Sequence, residues 1–165
     1  MNYMSINARG TGEEVKVNWI RKLKNRNKIN FLGIQETQIQ DSNKINVQGC
    51  WGSIDFDYEG VDSHGRSGGL VSIWDTRCFQ KNRVLKSKRY LIIIGKWIGI
   101  AGDTIFANIY GSHGIADQRR LWRELTTIKN SNPGNWILFG DYNTVRRPDE
   151  RVNSYFCPTG RSLCN

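Results

Sequence analysis

Trp136-Ile137-Leu138-Phe139-Gly140-Asp141-Tyr142-Asn143 is the stretch whose reading decides the fold. Four consecutive apolar residues closed by a glycine predict a short central strand, because a strand covered on both faces needs no polar alternation. The Asp141 carboxylate and the Asn143 amide then stand where a buried sheet meets water, and can share one reacting group. An aspartate after a strand is also a common turn former or helix cap, so its chemistry has to be judged from its surroundings.

Working upstream, Thr104 to Tyr110 alternates Ile105, Ala107 and Ile109 with Phe106, Asn108 and Tyr110, which predicts a strand. Leu121, Trp122, Leu125 and Ile128 mark a helix from Ala116 to Lys129, ended by Asn132-Pro133-Gly134. Strand, helix and strand make a right-handed βαβ unit with parallel strands. The N-terminus repeats the pattern. A strand from Tyr3 to about Asn7 precedes a helix over Glu13 to Arg26, with Thr11 and Glu14 as a capping box and Val15, Trp19, Ile20 and Leu23 as its apolar face. The strand Phe31-Leu32-Gly33-Ile34 follows, ending at Gln35-Glu36-Thr37. Asn7 and Glu36 are 29 residues apart, Tyr110 and Asp141 31. If the two units are related by a pseudo-two-fold, all four polar groups face one cleft.

Between the units the chain reads as β. A strand is expected over Trp51 to Phe56 and a polar loop over Tyr58 to His64. Gly65-Arg66-Ser67-Gly68-Gly69 reads as a tight turn feeding Leu70 to Trp74, and Val84 to Ser87 and Tyr90 to Trp97 as antiparallel neighbours. Lys81, Arg83, Lys86, Lys88 and Arg89 crowd their turns, where basic residues also guard strand edges against aggregation.

At 165 residues and 38% hydrophobic content the chain is long enough for one domain with a real core. A formal charge of +9 then belongs to a folded surface and suits a polyanion, with nucleic acid ahead of a membrane because no amphipathic anchor or spanning segment is present. Cys50, Cys78, Cys157 and Cys164 form no Cys-x-x-Cys pair and have no histidine at zinc spacing, so they read as reduced thiols of an intracellular protein. Oxygen ligands on a basic protein suit a hard cation that takes one or two carboxylates, water and substrate phosphate. In that outline Glu36 is the metal ligand, Asp141 handles the attacking water, and Asn7, Asn143 and Tyr110 hold phosphate oxygens.

Ser5-Ile6-Asn7-Ala8-Arg9-Gly10, Gln35-Glu36-Thr37, Gly65 to Leu70, Asn108-Ile109-Tyr110 and Gly140-Asp141-Tyr142-Asn143, in this order and separation, resemble the endonuclease/exonuclease/phosphatase superfamily. Trp74-Asp75 and the run Arg147 to Ser154 resemble, more narrowly, the apurinic/apyrimidinic-like endonuclease domain of plant LINE-type (non-LTR) retrotransposons. The resemblance implies an α/β fold of two packed mixed sheets flanked by helices, a DNase I-like four-layer sandwich, incomplete at the C-terminus. It implies Mg²⁺, with Mn²⁺ as a substitute, DNA as partner and the nucleus as location. By position, Glu36 and Asn7 match metal-site residues, and Tyr110, Asp141 and Asn143 match catalytic ones. Arg66, Arg119, Arg146 and Arg147 are the expected nucleic-acid contacts. Residues 1–156 are expected to form the domain, with 157–165 a disordered tail.

The chain departs from the family at Ile6, where a tryptophan is usual, and at Tyr142, where phenylalanine is frequent. The family's later strands and its C-terminal aspartate and histidine have no counterpart. The expectation is therefore a DNA-nicking domain that is weak or inactive as it stands. Two alternatives remain open: a basic nucleic-acid-binding remnant without catalysis, and a phosphoesterase acting on a small or lipid substrate.

Overall fold

A computed structural model describes residues 1–64, 67–112 and 114–143. In chain order the elements are β1 (Tyr3–Asn7), α1 (Glu14–Arg26), β2 (Phe31–Gln35), a 3-10 turn (Ser42–Lys44), α2 (Val47–Trp51), β3 (Phe56–His64), β4 (Ser67–Asp75), β5 (Phe79–Ser87), β6 (Tyr90–Trp97), β7 (Thr104–Tyr110), α3 (Ile115–Ser131) and β8 (Asn135–Asp141). Both crossover units form as expected. β1 is parallel to β2 with Asn7 opposite Gln35, and β7 is parallel to β8 with Tyr110 opposite Asp141. Antiparallel strands complete two mixed sheets, in the orders β1-β2-β4-β3 and β5-β6-β7-β8.

Three apolar layers make these sheets a four-layer α/β sandwich. The outer face of the first sheet, with Ile6, Leu32, Ile34, Val71 and Ile73, packs under Val17 and Ile20 of α1 and Cys50 and Trp51 of α2. Ile92, Ile94, Ile105, Ala107 and Ile109 on the second sheet pack under Leu121 and Leu125 of α3. Between the sheets lie Phe31, Trp74, Phe79, Phe106 and Phe139. Phe31 and Phe106 stack with ring centroids 3.7 Å apart. Gly33 makes room for the aromatic layer: a Cβ there would stand 2.0 Å from the Phe139 ring.

Several local expectations are corrected. The Trp51–Phe56 strand is instead helix α2 followed by an irregular link: Asn46 Oδ1 caps it by accepting from Gly49 N at 2.8 Å, and Gly52, at φ 82°, ends it. The expected loop over Tyr58 to His64 is strand β3, which among the described residues is an edge strand with a ladder on one side, a position that tolerates polar residues. Thr11 caps nothing. It is buried, and its hydroxyl donates to Thr37 O at 3.3 Å, while α1 starts beyond Glu13 without a side-chain cap. Val15 and Trp19 are exposed, and α1 turns Val17 and Ile20 inward because α2 packs on that side. Among the described residues β8 stands at an edge of its sheet, not at the centre, with Leu138 exposed. Lys24 of α1 lies 4.2 Å from the centroid of the Trp51 ring. Cys50 is a buried free thiol whose pKa burial pushes up to about 11, and Cys78 is also free. Residues 144–165, with Arg146, Arg147, Cys157, Cys164 and the expected tail, lie outside the described residues, as do Gly65, Arg66 and His113.

The basic strand β5 reaches across to the other sheet. Glu59 on β3 accepts from Lys81 Nζ at 2.6 Å and from Lys86 Nζ at 2.7 Å. Burial pushes the Glu59 pKa up, but these two partners outweigh it and hold the carboxyl below its ordinary value. A carboxylate with a depressed folded pKa contributes stability above its unfolded pKa, near 4.3, and loses it as pH falls through the folded value. In Glu59→Gln the melting temperature should therefore fall less steeply between about pH 5 and pH 3 than in the parent chain. Thermal melts across that range check it.

Candidate active site at the rim of the two sheets

The parallel strands deliver their polar ends to one rim. β1 faces β8 across the sandwich, β2 lies against both β7 and β8, and β4 lies against β7. Asn7 Nδ2 donates to Asp141 Oδ2 at 2.6 Å, bridging the ends of β1 and β8. The Glu36 carboxylate, just past β2, lies beside the Tyr110 hydroxyl at the end of β7, close enough to help raise its pKa. In each pairing a group from the first strand of one unit lies by the acid at the second strand of the other. That is the pairing a local two-fold along the strands requires. Asn7, Glu36, Tyr110 and Asp141, separated by up to 134 positions, therefore stand at one rim.

Asn143 joins them through its backbone, whose N–H donates to Asp141 Oδ1 at 3.0 Å, and its side chain donates to Gly111 O at 2.8 Å. Both Asp141 oxygens are thus oriented while each keeps lone-pair capacity for water. Gly140 makes this approach possible: its φ is +138°, and a Cβ would stand 2.0 Å from Ile109 O. Tyr110 is buried, and its pKa is raised, first by that burial and then by the Glu36 and Asp141 charges. It stays protonated and able to donate at neutral pH.

The rim is locally strained. Arg9, Glu36, Gln38 and Asn143 all have positive φ, between 47° and 58°, a conformation that costs a non-glycine residue about 1–2 kcal/mol. Four of the five such residues among the described ones stand in the loops around Asn7, Glu36 and Asp141. The loops are held in place by Gly10 N donating to Glu36 O at 2.7 Å and Gln38 N to Gly68 O at 3.2 Å. Strain of this kind persists where the surroundings over-determine the backbone, and it gathers at functional sites.

Of the expected nucleic-acid contacts, Arg119 is on the exposed face of α3, and Arg66, Arg146 and Arg147 are outside the described residues. Arg89, read from the sequence as an edge guard, lies beside the site: its carbonyl accepts Tyr110 N at 2.8 Å and its charge weakly opposes the rise in the Tyr110 pKa. Gln35 and Asn108 were also not singled out as site residues, although both are buried directly beneath the rim. Their signal, a polar side chain in an apolar strand, is legible only once the strand's inner face is known.

No known family signature matches the sequence, and no curated protein matches it. Solved structures do. The APE2 catalytic domain of Xenopus laevis aligns with a TM-score of 0.67 at 13% identity, over 90% of this chain and 60% of that one. An AP endonuclease of Leishmania major gives 0.63 at 15%, over 93% and 58%. An endonuclease/exonuclease/phosphatase family protein of Bacteroides thetaiotaomicron gives 0.61 at 15%, over 87% and 62%. The chain spans less than two thirds of each of these proteins. What the likeness carries is the fold: this chain has the DNase I-like α/β architecture of two packed mixed sheets.

Proposed function

We propose that the chain is the N-terminal part of a Mg²⁺-dependent phosphodiester-hydrolysing domain that nicks DNA, of the type carried by plant LINE-type retrotransposons, with residues 1–156 as the domain and the nucleus as its place of action. The Asn7–Asp141 hydrogen bond at 2.6 Å carries the reading, because it unites the two crossover units in one polar rim. The donor set fits the ion. No cluster of three His, Cys, Asp or Glu side chains stands among the described residues, but Mg²⁺ is ordinarily held by one or two carboxylates with water and substrate phosphate. Glu36 would hold it, with Asn7 beside, and Mn²⁺ suits the same oxygen donors. When bound, such an ion polarises the phosphate and eases ionisation of water.

The chain's own groups divide the remaining work. Asp141, oriented by Asn7 and Asn143, takes the proton of the attacking water as its oxygen bonds to phosphorus, while the P–O bond to the leaving oxygen breaks and that oxygen takes up a proton from solvent. Tyr110 donates to a phosphate oxygen as charge builds, and the Asn143 amide supports the same side. Arg89 and Arg119, with Arg66, Arg146 and Arg147, supply positive charge to the DNA backbone.

Supercoiled-plasmid nicking in Mg²⁺, in Mn²⁺ and in EDTA tests the reading, beside Mn²⁺ binding by the parent chain and Glu36→Ala. Metal-dependent nicking and Mn²⁺ binding, both lost in Glu36→Ala, are the expected result. A folded chain that binds DNA indifferently to Glu36→Ala, falls off steeply with salt and nicks nothing would overturn it in favour of charge-only binding.

A further inference from the structure

One layer beneath the rim, the apolar interface between the sheets is interrupted by a chain of polar side chains. Ser5 Oγ donates to Gln35 Oε1 at 3.1 Å, and Gln35 Nε2 donates to Asn108 Oδ1 at 2.6 Å. Asn108 Nδ2 in turn lies 3.0 Å from Val71 O and 3.4 Å from both Ile34 O and Ser72 Oγ. Gln35 is 1% exposed and Asn108 is completely buried. Both sit on the inner faces of their strands, in line with Phe31 and Phe106, where an apolar pair would fill the space with no amide to desolvate.

Position explains what an apolar pair would not supply. Gln35 is the residue immediately before Glu36, and Asn108 precedes Tyr110 by two on the same face of β7. Apolar contact between two sheets is non-directional and lets one slide on the other, whereas a short amide–amide hydrogen bond admits one offset. Asn108 bonds the carbonyls of Ile34 and Val71, which face each other across β2 and β4, so it is anchored on the first sheet at more than one point.

We infer that Gln35 and Asn108 are positioning residues, whose bridge sets the offset of the two sheets and thereby holds Glu36 opposite Tyr110. The inference rests on the rim being the active site proposed above. Its structural half is read without any reaction, from the NMR cross-relaxation between the Tyr110 ring and the Glu36 side chain in the metal-free chain.

Gln35→Met keeps the volume, deletes the bridge and leaves the Asn108 bonds to the first sheet in place. The expected result is a folded variant that loses the Tyr110–Glu36 signal and binds Mn²⁺ about 10- to 100-fold more weakly, the usual effect of removing a group that orients a metal ligand. The exchange Gln35→Asn with Asn108→Gln preserves the combined reach of the two amides and should restore both readouts. A role confined to stability would instead move the melting temperature alone. Gln35→Met and Asn108→Leu that both fold with the signal and the Mn²⁺ affinity of the parent overturn the inference. If Asn108→Leu does not fold, Gln35→Met decides. If the parent chain shows the signal but neither binds Mn²⁺ nor nicks DNA, the functional reading fails, and loss or retention of the signal in Gln35→Met still decides the positioning role.

Discussion

Asp141→Asn is expected to lower metal-dependent plasmid nicking by about 10²- to 10⁴-fold, the usual worth of a positioned general base. The substitution keeps the side chain's shape but removes its basicity. It also halves its value as an acceptor. Asp141 takes hydrogen bonds from Asn7 Nδ2 on one oxygen and from the Asn143 backbone on the other, and an amide offers a single oxygen to those two donors. One donor must turn to water, which this half-exposed rim allows, so the stability loss should stay near 1 kcal/mol. Nicking rates and thermal melts measured on the same preparations separate the two effects. A variant that nicks as fast as the parent would remove Asp141 from the role of base, whatever became of its melting temperature.

Phe106→Ala should cost about 3–5 kcal/mol, within the range for truncating a buried aromatic residue and comparable with the whole stability of a marginal domain. Phe106 is fully buried, stacks on Phe31 and meets Phe79, Trp97 and Phe139 at ring centroid distances of 5.4–6.4 Å. It stands two residues before Asn108 and four before Tyr110 on one face of β7, so the resulting cavity lies directly below the polar layer that supports the rim. Urea unfolding of Phe106→Ala and Phe106→Leu checks the size of the effect. The leucine variant should lose clearly less, and equal losses would show that aromatic stacking, not volume, dominates this core.

How far the chain could be read from its residues varies with the cause of each feature. β2 and β7 carry apolar periodicity on both faces because both are covered, one by a helix and one by the opposing sheet, so they were legible with their helices. α2 and β3 were not. The run Val47 to Trp51 is too short to show a helical period, and its helix stands because Asn46 and Gly52 cap it and Trp51 finds a site under Lys24. β3 is polar because it is an edge, and its strand state depends on the ladder that β4 offers. At the rim, Asn7, Glu36, Tyr110 and Asp141 stand out in the sequence at strand ends and at similar spacings of 29 and 31 residues, whereas Arg89 does not, since a turn residue acquires its meaning from what the turn lies beside.

The sequence by itself determined the two crossover units, their parallel strands and the polar residue at each strand's end, because these follow from local periodicity and from the fixed handedness of the connection. Only the tertiary structure decided which strand faces which, that Asn7 meets Asp141 and Tyr110 meets Glu36, and that Gln35 and Asn108 bond beneath them. Those outcomes depend on how one sheet is laid on the other. That placement is set by aromatic packing and by two buried amides separated by 73 residues, and no local pattern in the chain encodes it.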